Sequence, residues 1–219
     1  MLELVEKITT IGGEAPLIGM PIYLIRFTGC NLNCTYCDTD YKNEINDQFT
    51  PKELIDDIFM KMKEFPDLKI LFTGGEPLLG NRQDQLLNII SELENIDFYI
   101  ETNGSVEITN FNLSNCYYVI DWKAPSSGFN ESFFIENLKK LRIEKDCIKF
   151  VINIDDFDWL KKAVKIIQEI NPFLILYVSP QSGKLSLEDT ADYIIKNKLP
   201  VRLSLQLHKI IWPDQNRGI

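Results

Sequence analysis

Residues 22–40 read IYLIRFTGCNLNCTYCDTD, an apolar run followed directly by three cysteines. The apolar part is short and rich in β-branched and aromatic side chains, which is typical of a buried strand. Cys30, Cys34 and Cys37 follow it with C-x3-C-x2-C spacing. Because α/β folds bind ligands at the carboxyl ends of their strands, this loop is a candidate ligand-binding site.

Similar apolar segments recur along the chain, and helical patterns lie between several of them. Thr50-Pro51-Lys52-Glu53 combines an N-cap residue, a first-turn proline and a capping-box glutamate, and Ser186 begins a second such pattern. Alternation of strands and helices predicts an α/β fold with a parallel sheet, here a single domain over residues 1–219. The spacing alone does not distinguish an open sheet from a barrel. The predicted strands are 22–27, 70–73, 98–101, 117–121, 147–152, 173–178 and 201–205.

Composition and charge exclude several classes of protein. The chain has 219 residues, 23 Lys and Arg against 32 Asp and Glu, and therefore a net charge of −9. Such an acidic chain lacks the electrostatic signature of a nucleic-acid or acidic-membrane binder. The opening MLELVEKITT does not resemble a signal peptide, and no run of about 18 apolar residues predicts a membrane span. We therefore expect a cytoplasmic protein with neither nucleic-acid nor membrane partners.

The five cysteines divide into a cluster of three and two isolated ones. Cys116 and Cys147 lie in or beside apolar strands, where free cysteine behaves as a small hydrophobe, so we expect no disulfide. A structural zinc site needs a fourth ligand beside the three clustered thiolates, and the only histidine, His208, is distant in sequence. Thiolates also suit iron–sulfur clusters. Three of them on a four-iron cluster leave one iron open to bind another ligand.

A second motif, Gly74-Gly75-Glu76-Pro77, follows the second predicted strand. Glycines and proline at this point are compatible with a plain tight turn. They are also compatible with a loop whose backbone approaches a ligand closely, because no side chain stands in the way.

Together the two motifs resemble those of the radical S-adenosylmethionine enzymes, including an aromatic residue, Tyr36, before the last cysteine. The resemblance implies a [4Fe-4S] cluster whose open iron binds the methionine moiety of S-adenosylmethionine. One electron from the cluster then cleaves a carbon–sulfur bond and releases a 5′-deoxyadenosyl radical. The Gly-Gly-Glu-Pro element implies contact with the methionine ammonium.

Further segments narrow the resemblance to the 7-carboxy-7-deazaguanine synthase family. These segments are residues 8–14, Arg26, residues 37–39, 121–128 and 178–181, and the tail 203–219. The family converts 6-carboxy-5,6,7,8-tetrahydropterin into 7-carboxy-7-deazaguanine with release of ammonia, in queuosine and archaeosine biosynthesis. The resemblance implies a partial (β/α)6-type barrel with some helices reduced, a Mg2+ ion and a homodimer. An external one-electron donor of the flavodoxin or ferredoxin type is also implied.

Site residues follow from the resemblance position by position, and none is assigned as a protein acid or base. The cluster ligands are Cys30, Cys34 and Cys37, and Thr39 resembles the family's Mg2+ ligand. The expected S-adenosylmethionine contacts are Tyr36, Asp38, Gly74, Gly75, Glu76, Ala124, Pro125, Ser126, Val178, Ser179, Pro180 and Gln181. The expected substrate contacts are Ile11, Gly12, Gly13, Glu14, Arg26, Thr73, Gln206, His208 and Ile219.

Arg26 suits the substrate carboxylate, because a guanidinium binds carboxylates through two parallel hydrogen bonds. A buried arginine with a carboxylate partner in the protein is the structural alternative.

One position departs from the family, which often has Gln-Gly-Glu-Gly where this chain has Gly12-Gly13-Glu14-Ala15. Two other functions remain open at this point: a glycyl-radical enzyme activase, which acts on a protein, and a non-enzymatic zinc-binding module.

Overall fold

The computed structural model describes residues 1–110, 112–215 and 217–218. Within these ranges nine strands form one sheet in the order β3-β1-β2-β4-β5-β6-β7-β8-β9. The strands are β1 (Leu2–Ile11), β2 (Pro21–Phe27), β3 (Asp47–Phe49), β4 (Lys69–Gly74), β5 (Phe98–Thr102), β6 (Cys116–Asp121), β7 (Cys147–Ile152), β8 (Ile175–Pro180) and β9 (Arg202–Leu203).

The parallel part of the sheet begins at β2 and continues through β4 to β9, so all these strands end on one side. β3 and β9 are the outer strands, and the sheet is not closed. This architecture confirms the predicted partial α/β barrel. The strand predicted over residues 173–178 lies two residues further along, as β8, and the last strand is shorter than predicted.

Two strands, β1 and β3, were missed by the sequence analysis. β1 pairs antiparallel with β2 on one side and with β3 on the other. Its polar residues alternate irregularly with buried Leu2, Leu4 and Val5, so it lacks the continuous apolar run of the parallel strands. β1 matters for the site because it places Glu6 beside Arg26.

Five of the six described helices lie between strands, and the sixth follows the last strand. The capping patterns at Thr50 and Ser186 predict the first and the fifth of them. The helices are α1 (Pro51–Glu64), α2 (Arg82–Glu92), α3 (Asn137–Lys140), α4 (Phe157–Ile170), α5 (Leu187–Asn197) and α6 (Leu207–Ile211). The capping box at Thr50 is formed: its side chain accepts from Glu53 N at 3.2 Å, and the Glu53 carboxylate accepts from Thr50 N at 2.7 Å. Ser186 caps α5 through its side chain alone, which accepts from Asp189 N at 2.9 Å.

Some connections are reduced, as expected. Only the four-residue α3 and two 3-10 turns lie between β6 and β7, and the described part of 103–115 contains no helix. Cys116 and Cys147 are free and buried at the starts of β6 and β7, in keeping with a core role. None of the described helices has the length and apolar character that crossing a membrane requires.

Candidate active site

A cavity of about 700 Å³ opens at the carboxyl ends of the parallel strands. The three clustered cysteines lie on its wall, with Cys30 and Cys34 half-buried and Cys37 exposed. Charged side chains from β2, β5, β6 and β7 line the same space. The volume lies within the range of small-molecule sites, so one cavity is large enough to hold a cofactor beside a substrate.

The cysteine loop is held by contacts to several neighbouring segments. Tyr36 Oη donates to the Val151 carbonyl at 3.2 Å, and Thr35 Oγ1 donates to the Ser126 carbonyl at 2.6 Å. Cys30 Sγ accepts from Leu32 N at 3.4 Å. Burial raises the pKa of the Cys30 and Cys34 thiols, so a metal that binds their thiolates must displace the protons.

The Gly-Gly-Glu-Pro segment packs directly on this loop. Gly75 N donates to the Phe27 carbonyl at 3.0 Å, and Glu76 N donates to the Gly29 carbonyl at 2.8 Å. A Cβ on Gly75 would overlap the Gly29 carbonyl and lie 2.9 Å from Cys30 N. Glycine is therefore required here for close approach of two backbones, which a plain turn does not explain.

Glu76 is fully buried and joins two loops. Its carboxylate accepts from Thr102 Oγ1 at 2.7 Å, Asn103 N at 2.7 Å and Leu78 N at 2.9 Å. Burial raises its pKa, although these hydrogen bonds oppose the rise. The side chain lies outside the cavity lining, so its geometry is that of a brace between the ends of β4 and β5.

Gly75→Ala is expected to destabilise the fold by about 1–3 kcal/mol and to reduce iron binding, because the backbone overlap cannot be relieved by a side-chain movement. Thermal unfolding and iron content after anaerobic reconstitution measure both effects. Gly80→Ala is the matched control: Gly80 has φ +58° and open space around it, so only the backbone cost of about 1 kcal/mol applies. Wild-type iron content in Gly75→Ala would contradict the packing argument.

A buried lysine, Lys149 on β7, organises the charges at the base of the cavity. Its ammonium lies 2.5 Å from Glu14 Oε2 and 3.8 Å from Asp121 Oδ2, and it also pairs with Glu101. Burial opposes ionisation of Glu14, but the Lys149 charge and its hydrogen bond lower the Glu14 pKa to about 2. Glu14 is therefore a carboxylate at neutral pH, able to accept hydrogen bonds from an amino-pyrimidine edge.

Arg26 is held by a protein partner and still reaches the cavity. Its Nε donates to Glu6 Oε1 at 2.6 Å, and its Nη1 donates to Thr39 Oγ1 at 3.3 Å. Burial would lower the Arg26 pKa, but the bond to Glu6 raises it. Arg26 thus has a carboxylate partner within the protein, Glu6, as the structural alternative requires. The guanidinium is anchored to Glu6 through Nε, and Arg26 is one of the residues that line the cavity.

Residues 13–14, which follow β1, meet residues 206–208, around the start of α6, on the cavity lining. Gln206 Nε2 donates to Glu14 Oε1 at 2.8 Å, and Leu207 N donates to the Gly13 carbonyl at 2.7 Å. A Cβ on Gly13 would overlap the His208 ring, so this glycine is needed for the close approach. Burial lowers the pKa of His208 below its usual 6.5.

His208 is therefore expected to be neutral at pH 7 and to accept a hydrogen bond from a ligand. Because it is the only histidine, an NMR titration of its ring gives one unambiguous midpoint, which we expect below 6.5. The unfolded chain then binds the proton more tightly. The contribution of His208 to the free energy of unfolding is fully present above about pH 6.5. It is lost as the pH falls toward the pKa of His208 in the folded protein. A midpoint at or above 6.5 would contradict the buried placement.

Two buried oxygens near the strand ends have no hydrogen-bond partner among the described residues. They are Asp121 Oδ1 at the end of β6 and Ser179 Oγ in β8. The other Asp121 oxygen accepts from Lys123 Nζ at 2.8 Å. Burial would lower the Lys123 pKa, but the Asp121 carboxylate raises it, so Lys123 stays protonated. Because unpaired buried polar atoms are costly, Asp121 Oδ1, whose residue lines the cavity, is a candidate for contact with a bound ligand.

Most of the predicted site residues lie on this cavity. Those that line it are Ile11, Gly12, Gly13, Glu14, Arg26, Cys30, Cys34, Tyr36, Cys37, Asp38, Thr39, Thr73, Gly74, Gly75, Gln181, Gln206 and His208. Outside the lining are Glu76, Ala124, Pro125, Ser126, Val178, Ser179 and Pro180. Ile219 falls outside the described residues. Four charged residues that the sequence did not point to also line the cavity: Lys42, Glu101, Lys123 and Lys149.

The donor set favours a polynuclear cluster over a single zinc ion. In the described ranges, no three His, Cys, Asp or Glu side chains are close enough together to hold one metal ion. Three cysteines on a four-iron cluster bind three different iron atoms, so they need not converge on one point. Soft thiolates on a shared wall, with the unpaired carboxylate oxygen of Asp121 in the same lining, fit a cluster and a cofactor.

Comparison with known proteins agrees with this geometry. The family model for the Radical SAM superfamily matches residues 24–110, which contain the cysteine loop and the Gly-Gly-Glu-Pro segment. A 7-carboxy-7-deazaguanine synthase from Clostridium acetobutylicum is 40% identical, covering 99% of each chain. The chain belongs to the 7-carboxy-7-deazaguanine synthase family. The family assignment implies a [4Fe-4S] cluster and S-adenosylmethionine, which the cavity fits.

One further relative agrees with the family assignment, and one solved structure agrees with the fold. A 7-carboxy-7-deazaguanine synthase from Thermoplasma acidophilum is 33% identical and covers 95% of this chain. That match extends over 96% of the relative. The crystal structure of QueE from Escherichia coli has a TM-score of 0.73 over 94% of each chain, at 19% identity, which supports the fold.

Proposed function

We propose that this protein is a 7-carboxy-7-deazaguanine synthase, which contracts the ring of 6-carboxy-5,6,7,8-tetrahydropterin and releases ammonia. The observation that carries the proposal is a single cavity that joins the cysteine loop to an anchored arginine and a buried carboxylate. Product and ammonia together contain all atoms of the substrate, so the reaction needs no net oxidant.

Charged side chains in different parts of the cavity suit different parts of the substrate. Arg26, held by Glu6, binds the pterin carboxylate with its remaining N–H groups. Glu14, held by Lys149 and Gln206, accepts hydrogen bonds from the amino-pyrimidine edge. Thr73 hydrogen-bonds Glu101 Oε2 at 3.3 Å, which fixes that carboxylate on the same wall.

Cys30, Cys34 and Cys37 hold the cluster in this proposal. When bound there, the cluster and S-adenosylmethionine would supply the radical chemistry of the reaction. The protein orients the pterin and excludes water. The hydroxyl of Thr39, which donates to Asp38 Oδ1 at 3.2 Å, provides an oxygen for Mg2+ alongside substrate oxygens.

The remaining predictions concern partners and location. The exposed Cys37 brings the cluster loop to the surface, where an external flavodoxin- or ferredoxin-type donor can deliver one electron. We propose a homodimer located in the cytoplasm. The acidic charge fits a reaction on a free pterin, although the product is destined for tRNA.

The test is anaerobic turnover of 6-carboxytetrahydropterin with reconstituted protein, S-adenosylmethionine, Mg2+ and a reductant. We expect deazapurine and ammonia in equal amounts. Cleavage of S-adenosylmethionine without formation of deazapurine would overturn the substrate assignment. It would leave the assignment to the radical S-adenosylmethionine superfamily intact. A glycyl radical formed on a protein partner would favour an activase, and a zinc-loaded, iron-free protein would favour a binding module.

A further inference from the structure

Lys42, at the end of the cysteine loop, is a buried lysine that carries no ion pair with any described carboxylate. Only 9% of the residue is exposed. Its ammonium donates to the Leu32 carbonyl at 3.2 Å, to Asn33 Oδ1 at 3.4 Å and to Cys37 Sγ at 3.9 Å. All three partners belong to the cysteine loop, and none is a carboxylate. Lys123 and Lys149, which also line the cavity, each face an acidic side chain.

The backbone of Lys42 fixes this position. Its carbonyl accepts from Gly29 N at 2.7 Å and from Thr28 Oγ1 at 3.2 Å, and its N–H donates to the Thr39 carbonyl at 3.2 Å. These bonds join the two ends of the loop around the cysteines. The side chain then extends back beneath the loop toward Leu32. The ammonium is therefore held near the cysteines by the fold, and not by a flexible surface rotamer.

A buried ammonium needs a counter-charge, and the loop provides one when its thiolates hold a cluster. An oxidised four-iron core carries two positive charges against three thiolates, so the assembly is negative by one charge. One added electron makes it negative by two. A positive charge beside the ligands thus stabilises the reduced state more than the oxidised state.

We propose that Lys42 tunes the cluster electrostatically: its ammonium and its N–H···S contact with Cys37 raise the cluster's reduction potential. This inference rests on the proposed function, in which Cys30, Cys34 and Cys37 bind the cluster. Hydrogen bonds to sulfur and local charge are established determinants of cluster potential. Lys42 thereby makes it easier for an external donor to reduce the cluster.

A purely mechanical role is the alternative, because the contacts with Leu32 and Asn33 also brace the loop. Three substitutions separate the two roles. Lys42→Arg keeps the charge, Lys42→Gln keeps a neutral N–H donor, and Lys42→Met removes both. Lys161→Met removes an equal charge from an exposed position on α4 and is the matched control.

The experiment reconstitutes each protein anaerobically, measures iron and sulfide, and follows the reduced-cluster EPR signal in a redox titration. We expect the equilibrium constant for reduction to fall at least about tenfold in Lys42→Gln and Lys42→Met, a shift of about 59 mV for one electron. Lys42→Arg and Lys161→Met should stay within about twofold of wild type.

Each outcome decides between the proposals. Wild-type protein without a cluster would overturn the proposed function itself. Intact clusters with equal potentials in all variants would overturn the role of Lys42 and leave the function standing. Loss of the cluster from both neutral variants, with retention in Lys42→Arg, would also overturn the redox role and show that the lysine braces the loop.

Discussion

Lys149→Met is expected to lower the free energy of unfolding by about 3–5 kcal/mol, the cost of removing one partner from a buried ion-pair network. The substitution leaves the Glu14 and Glu101 carboxylates facing each other's negative charge without the shared ammonium. Methionine matches the length of the lysine stem, so the change removes charge with little change of shape. Urea unfolding at pH 7 measures the difference.

The matched control is Lys139→Met. Lys139 pairs with Glu136 at 2.8 Å, but both side chains are at least half exposed, 60% and 51%. Exposed pairs contribute roughly 0–1 kcal/mol, so this variant should unfold almost as wild type does. Equal losses in the two lysine variants would contradict the organising role given to Lys149.

The same network sets the response to acid. The folded pKa of Glu14 is about 2, against about 4.3 in an unfolded chain. Its contribution to stability is thus complete above about pH 4.3 and is lost as the pH falls toward 2. Lys149→Met should remove this contribution, so the difference from wild type should shrink at low pH.

Arg26→Gln, combined with Glu6→Gln, is expected to weaken binding of the carboxylated pterin by about 2–5 kcal/mol, the usual cost of truncating one partner of a buried charged contact. The paired substitution avoids leaving Glu6 without a partner. Neutral glutamines can still hydrogen-bond to each other, which limits damage to the β1–β2 contact.

Selectivity is the informative measurement for this variant. Tetrahydropterin without the carboxylate should bind the variant and the wild type about equally, because it makes no use of the guanidinium. Calorimetric binding of both pterins gives the ratio. An equal loss of affinity for the two pterins would show that Arg26 supports the cavity but does not bind the carboxylate.

The local motifs were predictable because their chemistry is contained in short stretches of sequence. The spacing of Cys30, Cys34 and Cys37 and the adjacent glycines of Gly74-Gly75 each carry their own physical signature. The parallel strands were equally visible, since burial on both faces makes them continuously apolar. The helix that follows Thr50 was predictable because its capping box lies within four residues.

The charged network was harder to foresee, because it depends on which strands become neighbours. Lys149 meets Glu101 across 48 positions and Glu14 across 135. The available signal was a single lysine in the otherwise apolar run CIKFVI, together with an acidic residue near the ends of β5 and β6. Glu6 was missed for another reason: its strand, β1, is half polar and does not read as a buried strand.

The most direct test of the whole account compares turnover of 6-carboxytetrahydropterin by wild-type protein and Cys34→Ala, prepared side by side without oxygen. Cys34 is half-buried, so alanine should leave the fold and pterin binding intact. We predict deazapurine from the wild type and none from Cys34→Ala, with equal pterin affinity in both. Product from Cys34→Ala, or none from wild-type protein that holds a complete cluster, would contradict the account.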